Sequence, residues 1–418
     1  MSGNHPGDTL RAHSSSSHDL NHSQPFQRII TQRIQQSDRK RITFAEYMAL
    51  ALYHPQFGYY ASKATPQKEA AIGPQGDFVT SPHMGHDFGE LLAAQFVDMW
   101  VALGRPDMFT LVEMGAGQGL VAADVLGELR SHHPTCFQAL NYIIVEKSAA
   151  LKAEQQKRLS HWQSEGVSLS WQSLEEIASD SVVGCFFSNE LVDALPVHWV
   201  EVHGGKLKEV WVSDGLTPVV EELSTPELKR YFERIGIEIA NYEEGYRSEV
   251  NLAALNWIKE VGDRLQKGYL LTIDYGYTAR RYYSPARREG ALQCYYQHGH
   301  HNDPFIHVGE QDITAHVDFT SLEIRGEEIG LQKLGFTQQG LFLMALGLGD
   351  RLSALSNPSD QIATGQNIQQ IMMRRDALQQ LISPMGLGNF GVLIQGKGLT
   401  QKEIARPLKG LTIPPMMS

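Results

Sequence analysis

Cysteine is scarce in this chain: three residues in 418 (Cys136, Cys185 and Cys294), far apart and without a Cys-x-x-Cys spacing. That argues against a disulfide framework and against a zinc knuckle. Cys185 lies inside an apolar run and reads as a small core residue. No apolar stretch reaches the length of a membrane span. Positive charge is also short, with 36 Lys and Arg against 47 Asp and Glu, a net charge of −11 and a pI near 5.9. A general nucleic-acid binder needs a basic face, so this balance argues against one. Neither a Gly-x-Ser-x-Gly elbow nor a phosphate-binding P-loop occurs, which removes hydrolase and nucleoside triphosphatase readings. Residues 1–24 ("MSGNHPGDTLRAHSSSSHDLNHSQ") lack the apolar core of a signal peptide and the Arg-rich pattern of a transit peptide. They read as a disordered tail, and a bacterial-type cytoplasmic protein is expected.

What is present is ordinary globular material, 42% hydrophobic and 20% charged, long enough for a full core in one elaborated domain or two. Residues 25–109 read as mainly helical. "ITFAEYMALALYHPQFGYYAS" sets Phe44, Tyr47, Met48 and Leu52 on one helical face and breaks at His54-Pro55. From Thr110 onward, strand-like runs alternate with helical ones: "FTLVEMG", "NYIIVEK", "VSLSW", "VGCFFSNE", "GYLLTIDYG", "GFTQQGLFLM" and "FGVLIQGK". Such alternation predicts an α/β fold with a doubly wound, mostly parallel seven-stranded sheet, its last two strands forming an antiparallel edge. Insertions are expected at 196–266, which opens with a hairpin signal at Gly204-Gly205, and at 277–334, leaving 401–418 as a C-terminal tail.

"LVEMGAGQGL" (residues 111–120) places Gly115, Gly117 and Gly119 directly after an apolar run. The dinucleotide fingerprint is Gly-x-Gly-x-x-Gly, so the third glycine arrives one position early. Glu113 adds a carboxylate at the strand end, and Glu-x-Gly-x-Gly-x-Gly favours S-adenosylmethionine over NAD, which stays as the alternative cofactor. Glu146 ends the next strand, where an acid accepts the two ribose hydroxyls of an adenosine. Trp171 is either an adenine platform or a core residue.

"SNELVDALPVHW" runs from a buried strand into Ser188-Asn189-Glu190. Asn189 is expected to cap a short helix, and Glu190 and Asp193, three apart, to share one face of it. Paired carboxylates suit bidentate recognition of a guanidinium. The other reading is a helix start decorated with acids for its dipole.

These blocks, with "GDFVTSPHMGHDFGELL", "LLTIDYGY" and "QDITAHVDFTSL", resemble the MidA family of S-adenosyl-L-methionine-dependent methyltransferases over residues 25–400. The resemblance implies a class I methyltransferase (Rossmann-like) fold, and it implies methylation of a protein arginine, with a respiratory complex I subunit as one acceptor class. Carried over by position, Glu113, Gly115, Gly117 and Gly119 match the cofactor loop and Glu146 the ribose acid. Asp77, Phe78, Thr80 and Ser81 match a block that closes over cofactor or substrate, and Asn189, Glu190 and Asp193 match the turn beside the methyl group. Ala116 and Gln118 stand where family members often carry Pro and Arg, and His83 stands where a Glu is common.

His316, Asp274 and Tyr275 are candidate substrate contacts, with Asp274 also a possible cap. His298, His300, His301 and His307 read as a polar loop rather than a metal site. "ARRYYSPARRE" reads as a solvated loop, with an acidic-partner or nucleic-acid patch as the alternative. The partners expected are a protein substrate and S-adenosyl-L-methionine, with no nucleic acid and no membrane span. Two further readings stay open: a cofactor-binding assembly factor with a mainly non-catalytic role, and a small-molecule methyltransferase.

Overall fold

The computed structural model describes residues 19–62, 80–297, 299–356 and 365–413. Seven strands form the main sheet: β1 Phe109–Met114, β2 Leu140–Val145, β3 Ser168–Trp171, β4 Val182–Asn189, β5 Leu265–Asp274, β6 Gln332–Gln338 and β7 Gly391–Lys397. Their order is β6-β7-β5-β4-β1-β2-β3. The pairs β1–β2, β1–β4, β2–β3 and β4–β5 are parallel. β7 runs antiparallel to both β5 and β6, which gives the expected antiparallel edge.

Successive residues of a strand face opposite sides, and both sides of this sheet are covered. On one side Leu111, Tyr142, Phe187 and Leu271 pack with Phe88, Phe96, Val125 and Leu126 of the helices Asp87–Ala102 and Leu120–His132. On the other, Val112, Ile143, Phe186 and Leu393 pack with Ile258, Val261 and Phe319. Those last three come from the helices Leu252–Arg264 and Phe319–Glu328. Both helices fall inside segments read as insertions, so the true insertions are shorter: the apolar faces of these helices cover the sheet.

Two more corrections concern the ends of the chain and the sixth strand. "GLFLM" is not strand, because Gln339–Leu346 is a helix whose Phe342 and Leu343 are fully buried in the core. A helix starts at Asp19, within the segment read as a tail. At the other end, Gly410 N–H donates to Gln95 Oε1 (2.8 Å) and Arg406 pairs with Asp98 (2.6 Å), so the C-terminal segment is docked through Thr412.

The helix Phe44–Tyr53 forms as read, fixed by a Thr43–Glu46 capping box. The hairpin at Gly204-Gly205 also forms, both glycines having positive φ (58° and 67°), as a tight two-residue turn requires. It belongs to an accessory antiparallel sheet of the strands Arg41–Thr43, His198–His203, Lys206–Ser213, Thr217–Glu221 and Arg247–Val250. The N-terminal region is therefore not separate from the first insertion: it contributes a strand to it. Phe44, Tyr47, Trp199, Val210, Leu292 and Ile313 share the core of this accessory unit. No helix among the described residues is long and apolar enough to cross a membrane.

Candidate active site

A cavity of about 1170 Å³ opens at the carboxyl ends of β1, β2, β4 and β5, where doubly wound sheets hold their ligands. The accessory unit walls one side with Tyr53, Tyr60, Tyr295, Asp312 and Thr314. Asp376, Gln380 and Ser383 come from the helix Gly365–Ile382 and the residue after it. That helix is tied down by Arg374, which binds Asp87 through two nitrogens (2.6 and 2.8 Å).

β1 ends in the glycine loop. Gly115, Gly117 and Gly119 have φ of 71°, 53° and 76°, a left-handed conformation that side chains strain against. A Cβ on Gly117 would point into open space, whereas one on Gly115 would come within 2.8 Å of Leu191. The first observation marks room for a ligand; the second seats the glycine loop against the turn after β4. Gly119 starts the helix Leu120–His132 and does not line the cavity.

Glu113 and Glu146 both line it. Glu113 is 4% exposed and accepts from the Tyr142 hydroxyl (2.7 Å). Burial pushes its carboxyl up to about 7 even so. Burial likewise raises Glu146, which accepts from Ser148 N–H (2.8 Å) and from Gln155 Nε2 (3.2 Å). Gln155 escaped the sequence reading. It is fully buried, donates to the Gly117 carbonyl (2.8 Å) and accepts from Trp171 Nε1 (3.0 Å). A signal existed: Gln155, Leu159 and Trp162 share one helical stripe, so Gln155 is a polar residue on a buried face. Trp171 itself is corrected. It does not line the cavity but packs against the core and holds Gln155.

The turn after β4 differs from the expected helix. Glu190 has φ of 52°, outside the helical region, and its N–H still pairs with Ile273 as an extension of β4. The chain then makes a turn in which Asp274 Oδ2 accepts from Val192 N–H (2.9 Å) and Asp193 N–H (3.3 Å). Asp274 also accepts from Tyr275 N–H (2.9 Å) and is 0% exposed. It therefore anchors the turn and does not contact substrate, because its oxygens are committed to backbone donors. Asn189, Glu190, Asp193 and Tyr275 do line the cavity.

Electrostatically this corner is loaded. Burial, then the charge of Asp193, pushes Glu190 up to about 8. Burial raises Asp193 too, opposed by the Tyr275 hydroxyl, and raises Asp274 further, aided by the charges of Asp193 and Glu190. Asn189 Oδ1 and Asp193 Oδ1 are buried without a partner among the described residues. Buried acceptors without donors, next to carboxyls that resist ionising, form a site that a cation completes.

Of the block before the helix Asp87–Ala102, Asp77 and Phe78 lie outside the described residues. Thr80 lines the cavity. Ser81 is corrected: fully buried, it gives its N–H to Glu190 Oε1 (3.3 Å) and bonds Gln339 through its hydroxyl. It braces the carboxylate rather than a cofactor. Two of the three positions that depart from the family pattern touch each other, with His83 Nε2 3.1 Å from Gln118 Oε1. His316 lines the cavity, stacks on Tyr277 (5.1 Å, 11°), and has Nδ1 3.2 Å from the Ala291 carbonyl. Burial lowers it to about 4, so it is neutral at physiological pH. Among the other histidines, His300 and His301 lie on the strand Gly299–His301, His307 stacks on Tyr296 (3.9 Å, 8°), and His298 lies outside the described residues. No group of three or more potential metal ligands is found among the described residues.

Three comparisons bear on this site. Residues 91–337 match a family model described as "Putative S-adenosyl-L-methionine-dependent methyltransferase". The mouse protein named protein arginine methyltransferase NDUFAF7, mitochondrial, is 30% identical over 78% of this chain and 76% of its own. The Drosophila melanogaster homolog is 30% identical over 75% and 73%. A crystal structure from Burkholderia thailandensis with S-adenosyl-homocysteine bound is 28% identical, with a TM-score of 0.78, covering 94% of this chain and 98% of that one. A native structure from the same organism gives a TM-score of 0.77, with 95% and 97% covered.

Proposed function

The chain belongs to the family of S-adenosyl-L-methionine-dependent methyltransferases, and from that premise we propose that it methylates an arginine side chain of a protein. The observation that carries the reading is the corner formed by Glu190 and Asp193, two cavity-lining carboxyls whose proton affinity burial raises. The curated relatives are named for the same activity.

The residues present fit the cofactor. The open space at Gly117 admits close backbone approach, Glu146 suits ribose hydroxyls, and Glu113 suits the positive end of the molecule. When bound, S-adenosyl-L-methionine supplies an electrophilic methyl group. The cavity is at the large end for a single small ligand, which supports room for an acceptor side chain beside it.

The chain's own residues do the rest. Glu190 and Asp193 accept the N–H groups of one edge of the guanidinium and draw its charge toward that edge. The nitrogen on the opposite edge is left richer in electrons and is presented to the methyl group, which is catalysis by positioning. A carboxylate with its proton affinity raised toward neutrality also suits removal of the proton that the reaction releases. Asp274 and Ser81 N–H fix the turn, so the two carboxyls keep their spacing. Neutral His316 and the accessory tyrosines wall the cavity against water.

The test is incubation of the purified chain with isotopically methyl-labelled S-adenosyl-L-methionine and a cell lysate, followed by acid hydrolysis. Label recovered as methylarginine from protein supports the reading. Label recovered only in small metabolites overturns it in favour of a small-molecule methyltransferase, and no transfer with tight S-adenosylhomocysteine binding favours the non-catalytic assembly factor. A cytoplasmic location belongs to the same proposal and is tested by fractionation of cells expressing the tagged chain.

A further inference from the structure

Arg280, Arg281 and Arg287 take no part in the chemistry above. Among the described residues none of them has a carboxylate within ion-pair distance, whereas neighbouring Arg288 pairs with Glu243 at 2.8 Å. Arg281 and Arg287 both sit over the ring of Tyr277, their guanidinium carbons 4.3 and 4.6 Å from its centroid. Tyr277 is half-buried and stacks on His316, which in turn meets Tyr275 edge-on (5.2 Å, 85°). His316 and Tyr275 line the cavity. An unbroken ladder of rings therefore runs from the cavity wall to a cationic surface patch.

The patch is displayed rigidly. The short helix Ala279–Tyr282 and Tyr283 are pinned from beneath, with the Tyr282 hydroxyl on Glu249 Oε2 (3.0 Å) and the Tyr283 hydroxyl on the Glu249 carbonyl (3.0 Å). Arg280 and Arg281 are exposed and Arg287 is half-buried. Two guanidiniums held over one ring without anions, with exposed Arg280 next in the chain, favour an incoming negative group.

We infer that Arg280, Arg281 and Arg287 form a docking surface for an acidic segment of the acceptor polypeptide, flanking the arginine that enters the cavity. The inference rests on the protein-arginine reading. Charge complementarity carries it. The cavity is acidic and takes the cationic side chain; the patch beside it is basic and takes the acidic flank. From the guanidiniums through two stacked rings to the cavity wall is about 10 Å, roughly three residues of extended chain. A polypeptide suits the patch better than a nucleic acid, because the Tyr277 ring is already covered by its own arginines and His316 and offers no face to a base. The net charge of −11 also repels a polyanion elsewhere on the surface.

The test uses the full chain saturated with S-adenosylhomocysteine and fluorescein-labelled peptides of about 15 residues, read by anisotropy. The central residue is Arg or citrulline, and the flank on either side is four Asp or four Asn. The Asp-flanked peptide is expected to bind about tenfold more tightly than the Asn-flanked one at 50 mM salt, the advantage vanishing at 0.5 M. The Arg281→Glu/Arg287→Glu variant should lose that advantage while keeping its affinity for S-adenosylhomocysteine, and the Gln pair serves if the Glu pair fails to fold. Equal binding of both flanks, no binding of either, or an advantage that survives in the variant overturns the docking surface. Tighter binding of a uridine 12-mer, lost in the variant, overturns it in favour of a nucleic acid. An Asp advantage without preference for Arg over citrulline leaves the surface standing and sinks the arginine reading; the reverse pattern does the opposite.

Discussion

Replacing Glu190 by Gln keeps the shape of the side chain and removes only its charge, so its effect on methyl transfer can be worked out. A carboxylate about 4 Å from a guanidinium, at an effective dielectric near 20, contributes about 4 kcal/mol. The free site does not ionise without cost. With Glu190 held up to about 8, ionising it at pH 7 costs about 1.4 kcal/mol. At pH 7 the net advantage over Gln is therefore about 2.6 kcal/mol, roughly 80-fold in kcat/KM, and at pH 9 it approaches about 900-fold. The sign follows from the direction of the shift. A raised carboxyl is protonated below its pKa, the cation requires it ionised, and so kcat/KM rises with pH up to about 8 and levels above. The assay is transfer of labelled methyl to an arginine-containing acceptor at pH 7 and pH 9, with S-adenosylhomocysteine affinity measured on both proteins. A Glu190→Gln deficit that is the same at both pH values refutes the reasoning, as does a loss of cofactor affinity equal to the loss of activity.

Gly117→Val should lower S-adenosylhomocysteine affinity by more than a hundredfold in calorimetry, since the new side chain enters the ligand's space. Its stability should fall by only about 1–2 kcal/mol, the cost of a left-handed non-glycine residue; similar affinity in both proteins would remove the loop from the site. Asp274→Ala strands up to three buried N–H groups, and denaturant unfolding should show a loss of about 2–5 kcal/mol. Asp274→Asn, which keeps one oxygen acceptor, should lose about half of that, and a full loss of activity with unchanged stability would make Asp274 a reacting group instead of an anchor. Gln155→Ala should weaken S-adenosylhomocysteine binding about tenfold, more than Trp171→Phe does, because Gln155 fixes both the Gly117 carbonyl and Glu146. The opposite order would return Trp171 to direct contact.

Features that depend on short spacing were readable in the sequence. The strand-to-glycine turn at Gly115–Gly119, the acid ending β2 and the hairpin at Gly204-Gly205 each need only local backbone rules. Features made by distant partners were not. The run from Glu190 to Asp193 reads as a helix start, but Asp274, more than eighty residues later, takes the N–H groups that a helix would have ordered, and the turn follows the anchor. Trp171 reads as either a platform or a core residue because nothing local reveals that its Nε1 is taken by Gln155, which in turn holds the Gly117 carbonyl and Glu146. "GLFLM" is apolar enough for a strand, and only the core beneath it decides for a helix. The accessory wall of Tyr53, Tyr60, Tyr295 and Asp312 comes from segments more than two hundred residues apart, joined by the Tyr60 hydroxyl on Asp312 Oδ1 (3.1 Å) and by a shared apolar core.

The place of β7 has a consequence for how the chain is born. It lies between β5 and β6, yet it leaves the ribosome more than a hundred residues after β5. At about 5–20 residues per second, the hydrogen-bonding edge of β5 waits roughly 6–23 s for its neighbour. During that interval the nascent sheet presents an open, apolar margin of the kind that recruits stray strands. Synthesis of this fold therefore calls for a chaperone or a fast closing step, and premature termination anywhere before Gly391 should yield aggregate in place of a smaller folded enzyme.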